Sequence, residues 1–162
     1  MTKALNLDKK ELPFYIENYQ EYWGTLKHKA GKILIEAGDV PKKIYYVQSG
    51  IIRVFICNGK QETTYRFFSS NDIIIPYRNF ISGDNPAILN LECITQSVVT
   101  AINIDTWKEL ELTDQKLKDF RNQTIITEFD KLVVRCSDLA ALDATTHYKK
   151  LLKEYPYLME GC

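Results

Sequence analysis

Apolar residues follow two different spacings along the chain, and the change from one to the other occurs near Ile104. From Thr25 to Ile104, short β-branched and aromatic runs alternate with Gly, Asn and Asp residues, which is typical of short strands joined by turns. The predicted strands are residues 32–36, 44–48, 51–57, 62–68, 72–75, 88–95 and 98–104. Asn58-Gly59 lies between two of these runs and predicts a hairpin with a type I′ turn. Strands at this spacing predict a β-barrel or a β-sandwich.

Helical patterns flank this region on both sides. Before it, aromatic and aliphatic residues predict a short amphipathic helix over residues 8–23, with Pro13 in its first turn. After it, Asp105 is the predicted N-cap of a short helix. Thr113 is the predicted N-cap of the next helix. This helix is expected to be long, because residues 113–143 contain neither Gly nor Pro. A last helix is predicted from Asp143 to near Tyr155, where the following proline disfavours helical geometry.

The long predicted helix carries apolar residues at alternating spacings of four and three, which is a heptad pattern. The residues of this predicted dimer seam are Ile125, Phe129, Leu132, Cys136 and Leu139. Ile126, Val133 and Ala140 widen the seam on one side. A heptad seam favours a partner helix and therefore a homodimer, whereas the alternative is a helix that lies on its own barrel.

Composition and charge place the chain in an ordinary globular class. Its 162 residues are 45% hydrophobic and 26% charged, and 21 basic residues balance 21 acidic ones. A nucleic-acid-binding domain usually carries a basic excess, so this chain is not expected to contact DNA itself. No apolar run approaches the roughly 20 residues that span a bilayer, and no secretion signal opens the sequence. The predicted location is the cytoplasm, without a membrane partner.

Residues with catalytic or metal-binding chemistry are few and dispersed. The two histidines, His28 and His147, are distant in sequence, and His28 is predicted to be a strand residue with a half-exposed ring. The four cysteines, which form no C-x-x-C pair, are Cys57, Cys93, Cys136 and Cys162. Zinc, iron–sulfur and haem sites need clustered or well-placed ligands, and no common catalytic motif occurs. The sequence therefore predicts a protein that is not an enzyme, with no catalytic residue, no metal and no cofactor.

Two segments resemble known proteins. Residues 30–39 read AGKILIEAGD, residues 44–55 read IYYVQSGIIRVF, and NGK follows at 58–60; this order is similar to the opening of a cyclic-nucleotide-binding-type barrel. Gly31, Gly38 and Gly50 are expected where strands turn sharply and a Cβ would clash. Residues 139–147 read LAALDATTH and are similar to the hinge of bacterial Crp/Fnr transcription regulators, which follows their dimerising helix.

The resemblance implies an α+β fold: a jelly-roll-like barrel of the cyclic-nucleotide-binding type, with a short N-terminal helix and a long C-terminal dimerisation helix. Residues 1–112 would form the sensor barrel, 113–142 the dimerisation helix, and 143–162 the hinge helix. The family's next element is a helix-turn-helix that reads DNA, and the sequence stops before it. This favours a regulator fragment that reaches DNA only through a helix-turn-helix domain outside this chain. The alternative is a stand-alone sensor or protein-interaction module without DNA output.

The resemblance also identifies positions at which ligand contacts are missing. Relatives that bind cyclic nucleotides use a short phosphate cassette, with a Gly–Glu pair for the ribose and an Arg followed by a small residue for the phosphate. Here the cassette falls between residues 71 and 91; Ile75 and Pro76 occupy the Gly–Glu positions, and Pro86 and Ala87 the Arg and its neighbour. Each lost contact to a charged group costs about 1.5–3 kcal/mol, so cyclic AMP is not the expected effector.

Another small-molecule effector is expected instead, and its identity stays open. Residues 77–86 are polar and include Arg78, Asn79 and Ser82, which could line a pocket or form a solvated loop. Strand alternation places Thr64, Arg66 and Phe68 on one side, and the resemblance turns that side toward the ligand cavity. Arg66 and Arg78 together could receive an anion. Alternatively, each arginine faces solvent or pairs with an acidic residue: Asp72, Asp84 or Glu92.

Overall fold

The protein forms two compact units, Met1–Thr113 and Asp114–Cys162. The computed structural model describes residues 13–141 and 143–158. Residues 8–12 of the predicted first helix and 159–162 of the predicted hinge segment lie outside the described residues.

In the part of the first unit that the structure describes, the strands form two antiparallel four-stranded sheets. One sheet has the order β1-β8-β3-β6 and the other the order β2-β7-β4-β5. The strands are β1 Gly24–His28, β2 Ile33–Ile35, β3 Lys43–Ser49, β4 Ile52–Asn58, β5 Gln61–Phe68, β6 Ile73–Ile74, β7 Asn90–Cys93 and β8 Ser97–Asn103. This arrangement confirms the predicted jelly-roll-like barrel.

The interior between the sheets is filled by side chains that alternate along the strands. The buried core residues come from both sheets and are Tyr45, Val47, Ile52, Phe68, Ile74, Leu91, Cys93, Val99 and Ala101. Leu34, Ile35 and Val54 pack against this core from partly buried positions. The apolar alternation that predicted the strands is therefore the pattern that fills the barrel.

Seven of the strands coincide with predicted runs, and one does not. β1 was not among the predicted strand runs, because the residues of Gly24–His28 are exposed or only half-buried and show no apolar alternation. Only His28, at its end, was expected to be a half-exposed strand residue, and it is half-buried in β1. The predicted hairpin joins β4 and β5, but Asn58 pairs with Gln61, so Gly59 and Lys60 form its turn. Positive φ occurs at Gly59 and not at Lys60, which fits a type II′ turn and corrects the predicted type I′.

Five α-helices occur among the described residues. They are α1 Phe14–Glu17, α2 Tyr77–Ser82, α3 Ile104–Glu111, α4 Gln115–Ala141 and α5 Ala144–Glu154. Short 3-10 turns cover Gln20–Tyr22 and Pro156–Leu158, so the predicted first helix is broken into two pieces. None of the helices in the described part of the chain combines the length and apolar character that crossing a membrane requires.

The observed N-termini of α3 and α4 show that two predicted N-caps are wrong. Asn103, rather than Asp105, occupies the N-cap of α3, and Asp105 lies in its first turn. Asp114, rather than Thr113, caps α4, because its Oδ1 accepts from the backbone N–H of Lys116 at 2.9 Å. The start of α5 is as predicted: Asp143 is its N-cap and accepts from the N–H of Thr146 at 2.7 Å.

An aromatic cluster joins α1, β3 and α3 within the first unit. The ring centroids of Tyr15 and Trp23 lie 6.2 Å apart, and the Trp107 ring lies 6.0 Å from each of them. Tyr46 of β3 contacts the Tyr15 ring at 6.3 Å and donates its hydroxyl to Asn71 Oδ1 at 2.9 Å. Aromatic pairs at these separations contribute about 0.5–1.5 kcal/mol each beyond their burial. The cluster thus anchors the turn that precedes β6.

A glycine can be favoured by a positive φ or by a lack of space for a Cβ, and Gly50 and Gly38 distinguish these two reasons. Both have positive φ, 96° and 99°, but an added Cβ meets nothing within 4 Å at Gly38. At Gly50 it would lie 2.2 Å from Ser97 Oγ and 2.7 Å from the Gln96 carbonyl oxygen. The expected Cβ clash is therefore correct at Gly50 and wrong at Gly38 and Gly31, where nothing lies within 4 Å and the positive φ alone favours glycine.

Substituting these glycines should separate strain from clash. Gly38→Ala should lower the free energy of unfolding by about 1–2 kcal/mol, the cost of left-handed backbone at a non-glycine residue. Gly50→Ala should lose about 1–3 kcal/mol more, because the barrel is overpacked at Ser97. Urea unfolding of both variants measures the difference, and equal losses would contradict the clash.

His28, at the end of β1, provides a pH-dependent contribution to stability. Its Nε2 is buried and has no hydrogen-bond partner among the described residues. Burial, followed by the positive charges of Lys32 and Lys43, lowers the pKa of His28 below its usual value. The unfolded chain therefore binds more protons than the folded chain once the pH falls below about 6.5, and stability decreases in that range.

A substitution of His28 tests this pH dependence. Between about pH 7.5 and about pH 5.5, His28→Gln should lose less unfolding free energy than the wild type, because a titrating group is removed. Urea midpoints at the two pH values provide the measurement. Identical losses in His28→Gln and the wild type would show that His28 does not contribute.

Candidate functional site

The segment between β6 and β7 contains the short helix α2, where the sequence predicted only a polar, turn-rich stretch. The helix begins after Pro76, whose carbonyl oxygen accepts from the N–H groups of Asn79 and Phe80, both at 3.1 Å. Ile75 and Pro76, at the expected Gly–Glu positions, offer neither a carboxylate nor, at Pro76, a backbone donor. A ribose hydroxyl would find no carboxylate at these two positions.

The other end of this segment is bonded to the β2–β3 loop. The N–H of Ala87 donates to the carbonyl oxygen of Asp39 at 2.7 Å, and the N–H of Gly38 donates to the carbonyl of Ala87 at 2.8 Å. Pro86 has no N–H to donate. At the two positions expected to hold the phosphate, the backbone donor is therefore missing at Pro86 and already bonded at Ala87.

Two of the four predicted ligand residues make hydrogen bonds within this segment. The Asn79 side chain is buried, with 6% exposure, and its amide donates to the carbonyls of Asn85 at 2.6 Å and Gly83 at 3.3 Å. The hydroxyl of Ser82 is exposed and donates to the carbonyl of Arg78 at 3.0 Å. Asn79 consequently has a structural contact that sequence reasoning had not predicted.

Arg66 lies on the side of β5 that faces the barrel interior. It pairs across the ladder with Val54, which packs against the core, and it precedes the buried Phe68 by two residues. Its guanidinium carbon lies 4.3 Å from the centroid of the Phe68 ring, and Nη1 donates to the carbonyl of Phe67 at 3.0 Å. The structure therefore places a half-buried positive charge where the sequence predicted one.

A bulge at Tyr65 changes the alternation of β5. Val54 pairs with Arg66 and Phe55 with Thr64, so Tyr65 has no partner in the ladder. Thr64 therefore lies on the opposite side from Arg66, where its hydroxyl is 3.4 Å from Nη1 of Arg53. The expectation that Thr64 shares a face with Arg66 is wrong for this reason.

Arg78 lies in the first turn of α2 and is exposed. Two of the acidic residues considered as its partners bind other cations: Asp84 pairs with Lys42 at 2.9 Å, and Glu92 pairs with Arg53 at 2.7 Å. The third, Asp72, accepts from the backbone N–H of Ser69 at 2.8 Å. Among the predicted ligand residues, Arg66 and Arg78 supply the cationic chemistry.

The sequence analysis did not identify a charged cluster around Arg53. This guanidinium bonds Glu62 at 2.6 Å and Glu92 at 2.7 Å, and it stacks 4.0 Å from the Phe55 ring centroid. Burial lowers the pKa of Arg53, but its bonds to Glu62 and Glu92 more than offset this, and the net shift is upward. Because both acids bind the cation from neighbouring strands, the cluster ties β4, β5 and β7 together. The position of Glu92 directly opposite Arg53 in the strand register was the signal that could have identified it, whereas Glu62 lies opposite Cys57.

Within the second unit, α4 presents an apolar surface to solvent. Phe129 is 63% exposed, and its apolar neighbours along this surface are similarly accessible. The exposed stripe consists of Ile126, Phe129, Val133, Cys136 and Ala140. Ile125 and Leu132 of the predicted dimer seam are half-buried, whereas Leu139 is 59% exposed. The exposed stripe keeps heptad spacing and shares Phe129 and Cys136 with the predicted dimer seam.

Comparison with known proteins gives a family and a fold. The family profile described as "Cyclic nucleotide-binding domain" matches residues 25–114, which is more than half of the 162 residues. No curated protein sequence matches the chain significantly.

Several solved structures have this fold. The c-di-GMP-responsive global regulator CLP of Xanthomonas campestris is 19% identical, with a TM-score of 0.70 over 86% of this chain and 70% of that one. The catabolite activator protein of Thermus thermophilus is 15% identical, with a TM-score of 0.67 over 83% of this chain and 62% of that one. FixK2 from Bradyrhizobium japonicum is 14% identical, with a TM-score of 0.73 over 82% of this chain and 65% of that one. This chain thus spans about two-thirds of the length of each.

Proposed function

The chain belongs to the cyclic nucleotide-binding domain family, and on that premise we propose that it is the effector-sensing and dimerisation portion of a Crp/Fnr-like transcription regulator. The observation that carries this proposal is a β-barrel followed, after the short helix α3, by a 27-residue helix with an exposed apolar stripe. The likeness to FixK2 covers 82% of 162 residues, about 133, which exceeds the 113 residues of the first unit. It therefore extends into the second unit.

The roles of the segments follow from this proposal. The barrel, residues 1–112, receives a small molecule and has no catalytic function. Residues 113–142 dimerise, and 143–162 form a hinge toward a DNA-reading domain. DNA contact belongs to a separate helix-turn-helix domain, since equal numbers of acidic and basic residues give this chain no general attraction to phosphates.

A second copy of the chain is the partner that fits α4. An exposed stripe at heptad spacing matches another helix with the same spacing, and a second copy supplies one. Burying each large apolar side chain contributes about 1.5–3 kcal/mol. We place the centre of the interface at Phe129 and Cys136, which belong to both the exposed stripe and the predicted dimer seam. Ile125, Leu132 and Leu139 complete its edge.

The effector in this proposal is a small anion other than cyclic AMP. Against cyclic AMP stand the absent carboxylate at Ile75 and Pro76 and the hydrogen bond already made by the Ala87 N–H. In favour of another anion stand two guanidinium groups, Arg66 on the inner side of β5 and Arg78 on α2. An arginine binds a carboxylate or phosphate through paired N–H donors and stays charged at all relevant pH values.

Dimerisation can be tested with one charge placed in the exposed stripe. Light scattering on the wild type should give twice the monomer mass of 18.8 kDa at tens of micromolar protein. Phe129→Glu should give the monomer mass, because burying an unpaired carboxylate in the interface is costly. Phe129 is exposed, so this variant should keep its fold, which circular dichroism checks.

Thr127→Glu is the matched control for this experiment. It adds the same charge to an exposed position about 160° around the same helix and should remain dimeric. A wild-type monomer at tens of micromolar would refute the proposed dimer. A dimer that tolerates Phe129→Glu would place the interface elsewhere.

Thermal-shift screening tests the effector class. A ligand present at about 100 times its Kd adds about 2.7 kcal/mol, which is roughly 5–10 °C in Tm for a chain of this size. Cyclic AMP at about 1 mM, roughly 100 times a ten-micromolar Kd, should leave Tm unchanged. A panel of carboxylates, phosphates and nucleotides should include anions that raise it.

Arginine variants test whether an anion that raises Tm binds at the proposed site. The Tm shift should be lost in Arg66→Ala and in Arg78→Ala, and retained in Lys60→Ala, which removes one positive charge from the exposed hairpin turn. A shift that survives in the double arginine variant would place the anion elsewhere. A shift with cyclic AMP would overturn the proposed effector class.

A further inference from the structure

Residues 76–90, here called the cassette segment, are held from both ends by contacts of the chain itself. At the helical end, the buried Asn79 amide bonds the carbonyls of Asn85 and Gly83, which closes the loop back onto α2. At the other end, Ala87 exchanges hydrogen bonds with the β2–β3 loop, through Asp39 and Gly38. These contacts are intramolecular and need no bound molecule.

A second set of contacts holds the middle of the segment. Phe80 is buried, with 6% exposure, and Lys108 Nζ of α3 lies 5.3 Å from its ring centroid. Asp84 pairs with Lys42 at 2.9 Å, and this contact lowers the pKa of Asp84. Both members of that ion pair are exposed, so it contributes less than the buried contacts.

Two backbone donors of the loop after α2 are bonded within the segment. The N–H of Gly83 donates to the Asn79 carbonyl at 3.1 Å, and the N–H of Asn85 donates to the Gly83 carbonyl at 2.7 Å. The backbone N–H groups of Gly83, Asn85 and Ala87 are therefore already bonded. A phosphate could bind these three N–H groups only by breaking existing hydrogen bonds.

We infer that the cassette segment is closed without a ligand and works as a fixed part of the barrel. The inference goes beyond the proposed function, because it concerns how the segment behaves and not what the barrel recognises. An anion that binds Arg78 meets a segment whose conformation is already set. Binding then proceeds without closure of this segment.

Amide exchange followed by NMR on the unmodified chain tests this inference directly. Without ligand, the N–H groups of Gly38 and Ala87 should exchange at least about a hundredfold more slowly than in an unstructured chain. Cyclic AMP at about 1 mM, or inorganic pyrophosphate, should leave their exchange rates unchanged. Unprotected amides in the free protein, or protection that appears only with a phosphate compound, would overturn the closed cassette.

The Asn79 contact is tested by Asn79→Ala, with Ser82→Ala as its control on the same helix. Loss of two hydrogen bonds should raise exchange in residues 83–87 by about tenfold or more. Ser82→Ala loses only an exposed bond to the Arg78 carbonyl and should exchange like the wild type. Equal exchange in Asn79→Ala and Ser82→Ala would show that Asn79 does not hold the segment. If Asn79→Ala fails to fold, the wild-type measurement still decides the inference.

These outcomes are independent of those for the proposed function. A monomeric protein with protected Gly38 and Ala87 amides would refute the dimer and keep the closed cassette. A dimer with unprotected amides would refute only the closed cassette.

Discussion

Every strand of the two sheets must turn one side toward the same small interior, and the inward side chains decide what the barrel can contain. Most inward positions hold apolar residues, so the interior packs as a hydrophobic core. Arg66 is the exception described on β5, next to Phe68 and opposite Val54. A charge there needs compensation, which the Phe68 ring and the Phe67 carbonyl provide. These two contacts offset part of the desolvation penalty of a cation on the inner side of the sheet.

The fold was largely readable from the sequence, because seven strands fill the core through apolar runs or alternation. The elements that were missed lack that signal. β1 is mostly exposed, and its pairing with β8 comes from backbone hydrogen bonds that no side-chain pattern records. α2 has only six residues and begins after a proline, so its polar sequence resembled a loop. The two misplaced caps differ from the observed ones by one and two residues. Asp114, next to Thr113, accepts the capping hydrogen bond of α4, and Asn103 caps α3 without a side-chain hydrogen bond.

The candidate site was readable only where it depends on residue type. The missing carboxylate and arginine of the cassette could be identified in the sequence. The bond between Ala87 and Asp39 could not, because it joins backbone groups 48 positions apart. The face of α4 was ambiguous for a related reason: two adjacent rows of apolar residues both keep heptad spacing. The structure distinguishes the two rows by their exposure: Ile125 and Leu132 are half-buried, whereas Ile126 and Val133 are exposed.

The bulge in β5 has a consequence for how this strand can change in evolution. Tyr65 is the one residue between Gln61 and Phe68 without a partner in β4. If a deletion removed it, Arg66 would still face Val54, and Thr64 would still face Phe55. A deletion at a paired position would instead shift one part of the hairpin by a residue and turn its side chains to the other face. β5 can therefore lose a residue at Tyr65 with its register intact, so natural length variation in this strand is expected there.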